Sequence, residues 1–158
     1  MRRTRREKGR IRVNTSGSNV IDTTTEFGAR AARRLDEDGI IWLTTVRPDG
    51  RPEPSPVWFY WDGETVLIYS QPKTLKLRNI AANPQVSLSF NTDTGGENVV
   101  VFAGIAKVID DAPLATEVPA MLEKYREGLI HMSDPTAESF ARDYSVAIRV
   151  TPMKLRGF

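Results

Sequence analysis

Apolar and polar positions along this chain change period several times, and each change marks a predicted element. Phe27, Ala31 and Leu35 recur at i, i+4 and i+8 with Arg30, Arg33 and Arg34 on the wet face, which predicts a helix over 25–38. Thr23, Thr24 or Thr25 can cap it, and Gly39 ends it. Ile40–Val46 is then apolar and β-branched, and Arg47-Pro48-Asp49-Gly50 reads as a turn. The chain returns through 51–61, turns at Asp62-Gly63 and continues as Thr65–Ser70. These are three expected antiparallel strands in a meander.

A helix is predicted from Thr74 to Ala82, closed by Asn83-Pro84. Gln85–Asn91 alternates, with Val86, Leu88 and Phe90 on one face. The glycine-rich loop 93–96 leads to a strand over Val99–Val108, in which Gly104 marks a bulge or a close backbone approach. Ala112–Glu127 reads as helical, 128–142 fits neither period cleanly, and Tyr144–Thr151 alternates as a last strand. Six strands and few helices predict a mainly β, α+β fold: a small six-stranded antiparallel barrel with flanking helices. Pro52, Pro54 and Pro56 strip donors from one edge of their strand, while Glu53, Ser55 and Val57 keep theirs for pairing or for a ligand. Protection of a sheet edge explains the same pattern.

Composition narrows the chemistry. At 158 residues, 40% hydrophobic and 27% charged, the chain suits one globular domain. The absence of cysteine excludes disulfides and thiolate metal sites, and with one histidine a zinc centre would need an all-carboxylate shell. Residues 1–12 carry seven basic side chains against one acid, leaving 15 basic and 19 acidic residues in the remainder. A phosphate-tracking domain carries its charge on the fold, so nucleic acid is not an expected partner. Residues 1–24 are read as a basic, disordered extension and 25–158 as the domain. No apolar run approaches the roughly 20 residues that span a bilayer, and no signal pattern follows the basic start. A cytoplasmic protein without a membrane partner is expected.

No Gly-x-Ser-x-Gly turn, Gly-x-Gly-x-x-Gly turn or Walker loop occurs, and His131 lies in a loop-like stretch that reads as surface. What remains is the strand–turn–helix segment Tyr69–Ile80. Lys73, Thr74, Lys76 and Arg78 stand around a predicted helix N-terminus there, an arrangement that can hold a phosphate. A solvated basic helix face is the competing reading.

Residues 41–90 resemble the pyridoxamine-phosphate-oxidase-like split β-barrel flavoproteins. The likeness lies in IIWLTTVRPDGRPEPSPVWF, in IYSQP and in TLKLRNIAANPQVSLSF. The pairing of Arg-Pro…Ser-Pro-Val-Trp with Lys-x-Arg-Asn-Ile-x-x-Asn-Pro-x-Val-Ser-Leu is most similar to the branch that uses the deazaflavin coenzyme F-420. The resemblance extends from Glu26 to the C-terminus. It implies a split β-barrel in which Lys76 grips the cofactor phosphate, with Thr74 as hydroxyl or backbone donor. Tyr69, Ser70 and Gln71 would lie beside the phosphate and ribityl chain. Ser55, Pro56, Val57 and Trp58 would lie along the ring, with the spare amide donors of that strand addressing its pyrimidine end.

The resemblance further implies a homodimer and hydride transfer from reduced coenzyme F-420 to a small enone or quinone-like substrate. An FMN-binding protein, or a carrier of flavin, deazaflavin or haem without turnover, is the alternative. Ser55 stands where the oxidase that makes pyridoxal phosphate has an arginine, and Tyr60 where it has a lysine. That oxidase activity is therefore not expected.

Overall fold

Thr25 starts the first helix by accepting the Gly28 N–H on its side chain at 3.0 Å. The computed structural model describes residues 20–158, so the part of the expected extension at 1–19 lies outside the described residues. Ile21 is buried in the core, and packing thus begins ahead of α1 (Glu26–Glu37). Ala31 and Leu35 are fully buried on that helix. Arg34 bonds Asp38 at 2.6 Å and reaches the carbonyls of Asn91 (2.8 Å) and Asn98 (3.2 Å), clamping α1 to a distant loop.

The strands are β1 (Ile41–Val46), β2 (Pro52–Val57), β3 (Tyr60–Trp61), β4 (Val66–Ser70), β5 (Gln85–Ser89), β6 (Val100–Ile109) and β7 (Val146–Gly157). They form one antiparallel sheet in the order β2-β1-β5-β6-β7-β4-β3. Among the described residues the sheet has seven strands, not six, because the run 51–61 breaks at Trp58-Phe59. Its two halves go to opposite edges of the sheet, so the expected three-strand meander does not exist. Only Trp58 and Phe59 separate β2 from β3, and three steps of strand span at most about 10 Å. The sheet must therefore curl until its edges nearly meet, giving a half-barrel closed by the chain rather than by a ladder. The cause of the break is Tyr125, whose hydroxyl accepts the Phe59 N–H at 2.8 Å and lies 2.8 Å from the Phe59 carbonyl. Phe59 therefore needs no strand partner, and no glycine or proline at 58–59 announces the change.

α2 (Leu75–Ala82) joins β4 to β5. Between β6 and β7 the chain forms a 3-10 turn (Ala115–Glu117), α3 (Pro119–Lys124), α4 (Arg126–Ile130) and α5 (Ala137–Asp143). The expected single helical stretch is thus broken, and the ambiguous region holds a helix. Gly104 does mark a bulge: the β6–β7 register shifts between Ala103 and Gly104, and a Cβ on Gly104 would stand 2.6 Å from the Thr151 carbonyl. Gly104 lies opposite Pro152, so the residue without an N–H falls at the irregularity. That is how β7 runs through Pro152 to Gly157, beyond the expected end at Thr151.

Two hydrophobic clusters result. One fills the curled sheet beneath α1, with Leu35, Ile41, Leu43, Phe59, Phe102, Ile148 and Val150 fully buried. The other lies under α3–α5 and includes Met121, Tyr125, Leu129 and Phe140. β4 separates them: Val66 and Ile68 enter the first, Leu67 and Tyr69 the second, and all five of its residues are buried.

Candidate functional site

A cleft of about 430 Å³ opens where β2, β4, α2 and the α3–α5 cap meet. It is lined by Pro56, Val57, Trp58, Tyr69, Ser70, Gln71, Thr74 and Lys76, together with Ile40, Met132, Phe140 and Tyr144. Eight of the nine residues to which the resemblance gave a cofactor role therefore line one cleft, whereas Lys73 and Arg78 are exposed and do not. Nor does Ser55, the ninth. Its register opposite Leu43 turns it to the inner face of β2, and the ladder to β1 can draw donors from β2 only at Glu53, Ser55 and Val57. The amide donors expected to be spare are thus spent on β1. The free edge of β2 carries proline carbonyls without N–H groups.

One end of the cleft is polar. The Ser70 hydroxyl donates to the Gln71 carbonyl at 3.0 Å and lies 3.1 Å from the Thr74 hydroxyl. Thr74 is the N-cap of α2, yet its side chain makes no capping bond, so the first amides of the helix keep no side-chain acceptor. Lys73, just before, adopts a left-handed φ of 63°, a strained conformation for a residue with a side chain. Lys76 is half-buried, and burial holds its ammonium below the usual lysine range. Among the described residues no carboxylate pairs with it.

The other end is aromatic. Trp58 stacks on Tyr125 (4.6 Å, 10°) and on Phe140 (5.5 Å, 28°), and Phe140 stacks on Tyr144 (4.7 Å, 17°). The Tyr125 hydroxyl also lies 2.9 Å from the Gly39 carbonyl, and burial raises its pKa, so it stays a neutral tie between the cap and the sheet. The Tyr69 hydroxyl points away to the Pro113 carbonyl at 2.6 Å, so its ring alone serves the cleft. Burial, and then the Glu117 charge, raise its pKa.

Sequence reasoning missed Ile40, Met132, Phe140 and Tyr144. Phe140 and Tyr144 stand at i and i+4 behind the Thr136–Ser139 cap, a helical signal that was present but short. His131 is exposed and does not line the cleft. Among the described residues no cluster of acidic or histidine side chains is placed to hold a metal, and no helix is long and apolar enough to cross a membrane.

Comparison with known proteins places this geometry in a family. The family described as pyridoxamine 5'-phosphate oxidase matches residues 27–157, and the chain belongs to it. A solved structure named F420 reductase is 28% identical, covers 78% of this chain and 94% of its own, and superposes with a TM-score of 0.61. A conserved hypothetical protein of Mycobacterium tuberculosis is 23% identical, with 90% and 88% covered and a TM-score of 0.61. HutZ, a haem storage protein of Vibrio cholerae, shares the fold at 17% identity, with 84% and 95% covered and a TM-score of 0.61. No match was found among curated proteins.

Proposed function

We propose that the chain is an oxidoreductase that uses reduced coenzyme F-420 to reduce a small conjugated acceptor of enone or quinone type. The observation that carries this reading is Lys76: a half-buried cation without an acidic partner among the described residues, at the polar end of a cleft whose far wall is Trp58, Phe140 and Tyr144. A buried charge needs a counter-charge. An anionic group seated between Lys76, the Ser70 and Thr74 hydroxyls and the first amides of α2 supplies it. The residues present thus fit a flat ring carrying a phosphate. Bound there, the deazaflavin supplies hydride transfer to the acceptor. Lys76 holds the tail, while the aromatic wall flanks the ring and keeps water from it. The 28% identity to an F420 reductase supports the deazaflavin over FMN, which the same anchor would also suit.

Titration of the purified protein with coenzyme F-420 and with FMN, followed by mixing the reduced coenzyme with menadione and with cyclohexenone, tests the reading. Oxidation of the reduced coenzyme by either acceptor, with the acceptor reduced, is expected. Binding without oxidation would leave a carrier, and neither binding nor oxidation would sink the proposal. A homodimer that covers the exposed Ile40 at the cleft mouth completes the proposal. Light scattering should give about twice the 17.7 kDa chain mass, and a strict monomer would count against it.

A further inference from the structure

α4 is five residues long with a glycine at its centre, although only proline suits a helix interior less. Gly128 does not have a left-handed φ, and no turn requires it. What requires it is Trp58. A Cβ on Gly128 would stand 2.7 Å from Cζ2 and 3.0 Å from Cη2 of that indole. The ring is not free to swing aside, because it stacks on Tyr125 and Phe140, and Tyr125 is itself tied to Phe59 and Gly39. Trp58 itself lines the cleft, so displacing its ring moves part of the cleft wall.

We propose that Gly128 is a specificity-determining position of this cleft: the side chain it lacks lets Trp58 recess against α4, and the depth of that recess sets how large a planar acceptor the aromatic end admits. The proposal rests on reading the cleft as a site for cofactor and acceptor. Gly128 touches neither; it acts through the position of Trp58.

The test is Gly128→Ala in protein labelled with 5-fluorotryptophan, which carries three tryptophans, with Trp58→Phe assigning the resonance of interest. The Trp58 line should move in the ligand-free variant while those of Trp42 and Trp61 stay. In the presence of oxidised F-420, affinity for two-ring menadione should fall about tenfold or more, against less than about threefold for one-ring cyclohexenone. In a Trp58→Ala background, Gly128→Ala should have no further effect. An unmoved Trp58 resonance, equal losses for both acceptors, a loss that persists without Trp58, or no menadione binding to the unmodified protein would each overturn the proposal.

Should Gly128→Ala not fold, Gly128→Ala/Trp58→Phe, whose smaller ring vacates the slot, is expected to fold. Its failure would place the requirement in α4 itself and would also overturn the proposal. Failure of reduced F-420 to turn over sinks the oxidoreductase reading alone, because the fluorine shift and the menadione titration are read without turnover.

Discussion

Ile68 and Tyr69 are neighbours on β4, yet they enter different cores. The core that receives Ile68 is enclosed by strands of up to 12 residues, whose backbones satisfy one another along the ladders. The core that receives Tyr69 lies under α3, α4 and α5, of 6, 5 and 7 residues. Helices that short are unstable alone and leave most of their end groups to other partners. The cap is therefore held by a few large side chains: Trp58, Tyr125 and Phe140 in a stack, and Lys124 reaching across to α1. The cleft takes its polar end, with Ser70, Thr74 and Lys76, from the firm region and its aromatic end from the dependent one, so its two ends rest on separate supports.

The largest expected effect breaks both regions at once. Phe102→Ala, in the sheet core, should cost about 3–5 kcal/mol of stability by chemical denaturation. Cap and sheet should then unfold together, since the cap has no other base. Next, Lys76→Ala should weaken coenzyme binding by about 2–5 kcal/mol by calorimetry while leaving the melting temperature unchanged or slightly raised, because an uncompensated half-buried cation is removed. Only the protonated amine holds an anion. Affinity should therefore decline with rising pH before the ordinary lysine range is reached, and a flat profile would argue against the anchor.

Tyr125→Phe leaves the Phe59 N–H without its partner and should cost about 1–3 kcal/mol. Hydrogen exchange should then quicken in 119–143 more than in β5–β7; uniform quickening would mean that the two regions are one unit.

The smallest effect is at Lys124. Its Nζ donates to the Leu35 carbonyl at 3.1 Å and lies 3.8 Å from the Phe59 ring centre. Burial lowers its pKa to about 8, against the opposing pull of Asp36 and Asp38. With the folded value below the unfolded one, the folded state gives up its proton first, so this lysine's contribution to stability rises from about pH 8 toward 10.5. Compared with Lys124→Met, the protein should gain melting temperature over that window, and an identical pH profile in the variant would refute the shift.

The sequence made the firm region readable and the dependent one nearly opaque. α1, α2, β1, β5 and the bulge at Gly104 each follow from local signals: a cap, a period or an isolated glycine. The polar end of the cleft was readable for the same reason, since Tyr69 to Lys76 is a single strand–turn–helix. The aromatic end joins residue 58 to residues 125, 128, 140 and 144, and apart from the short i, i+4 signal that pairs Phe140 with Tyr144, nothing local at any of them specifies the others. The break at Trp58-Phe59 was hidden for a related reason. The hydroxyl that replaces its strand partner comes from Tyr125, 66 residues along the chain. Ser55 came from the resemblance rather than from a local signal, and the alternation of prolines shows which edge of β2 is stripped, but not that the other edge is already taken by β1.

β4 has a consequence for how this protein can vary over generations. A strand with two dry faces offers no position where a polar replacement is harmless. In a library of all single substitutions, Val66–Ser70 should therefore stand out as an unbroken stretch of intolerance, whereas β2, with its outer face in water, should accept changes at every second site. Inherited change would have to reach the cleft from its rim and its cap, with this partition as the part that stays put.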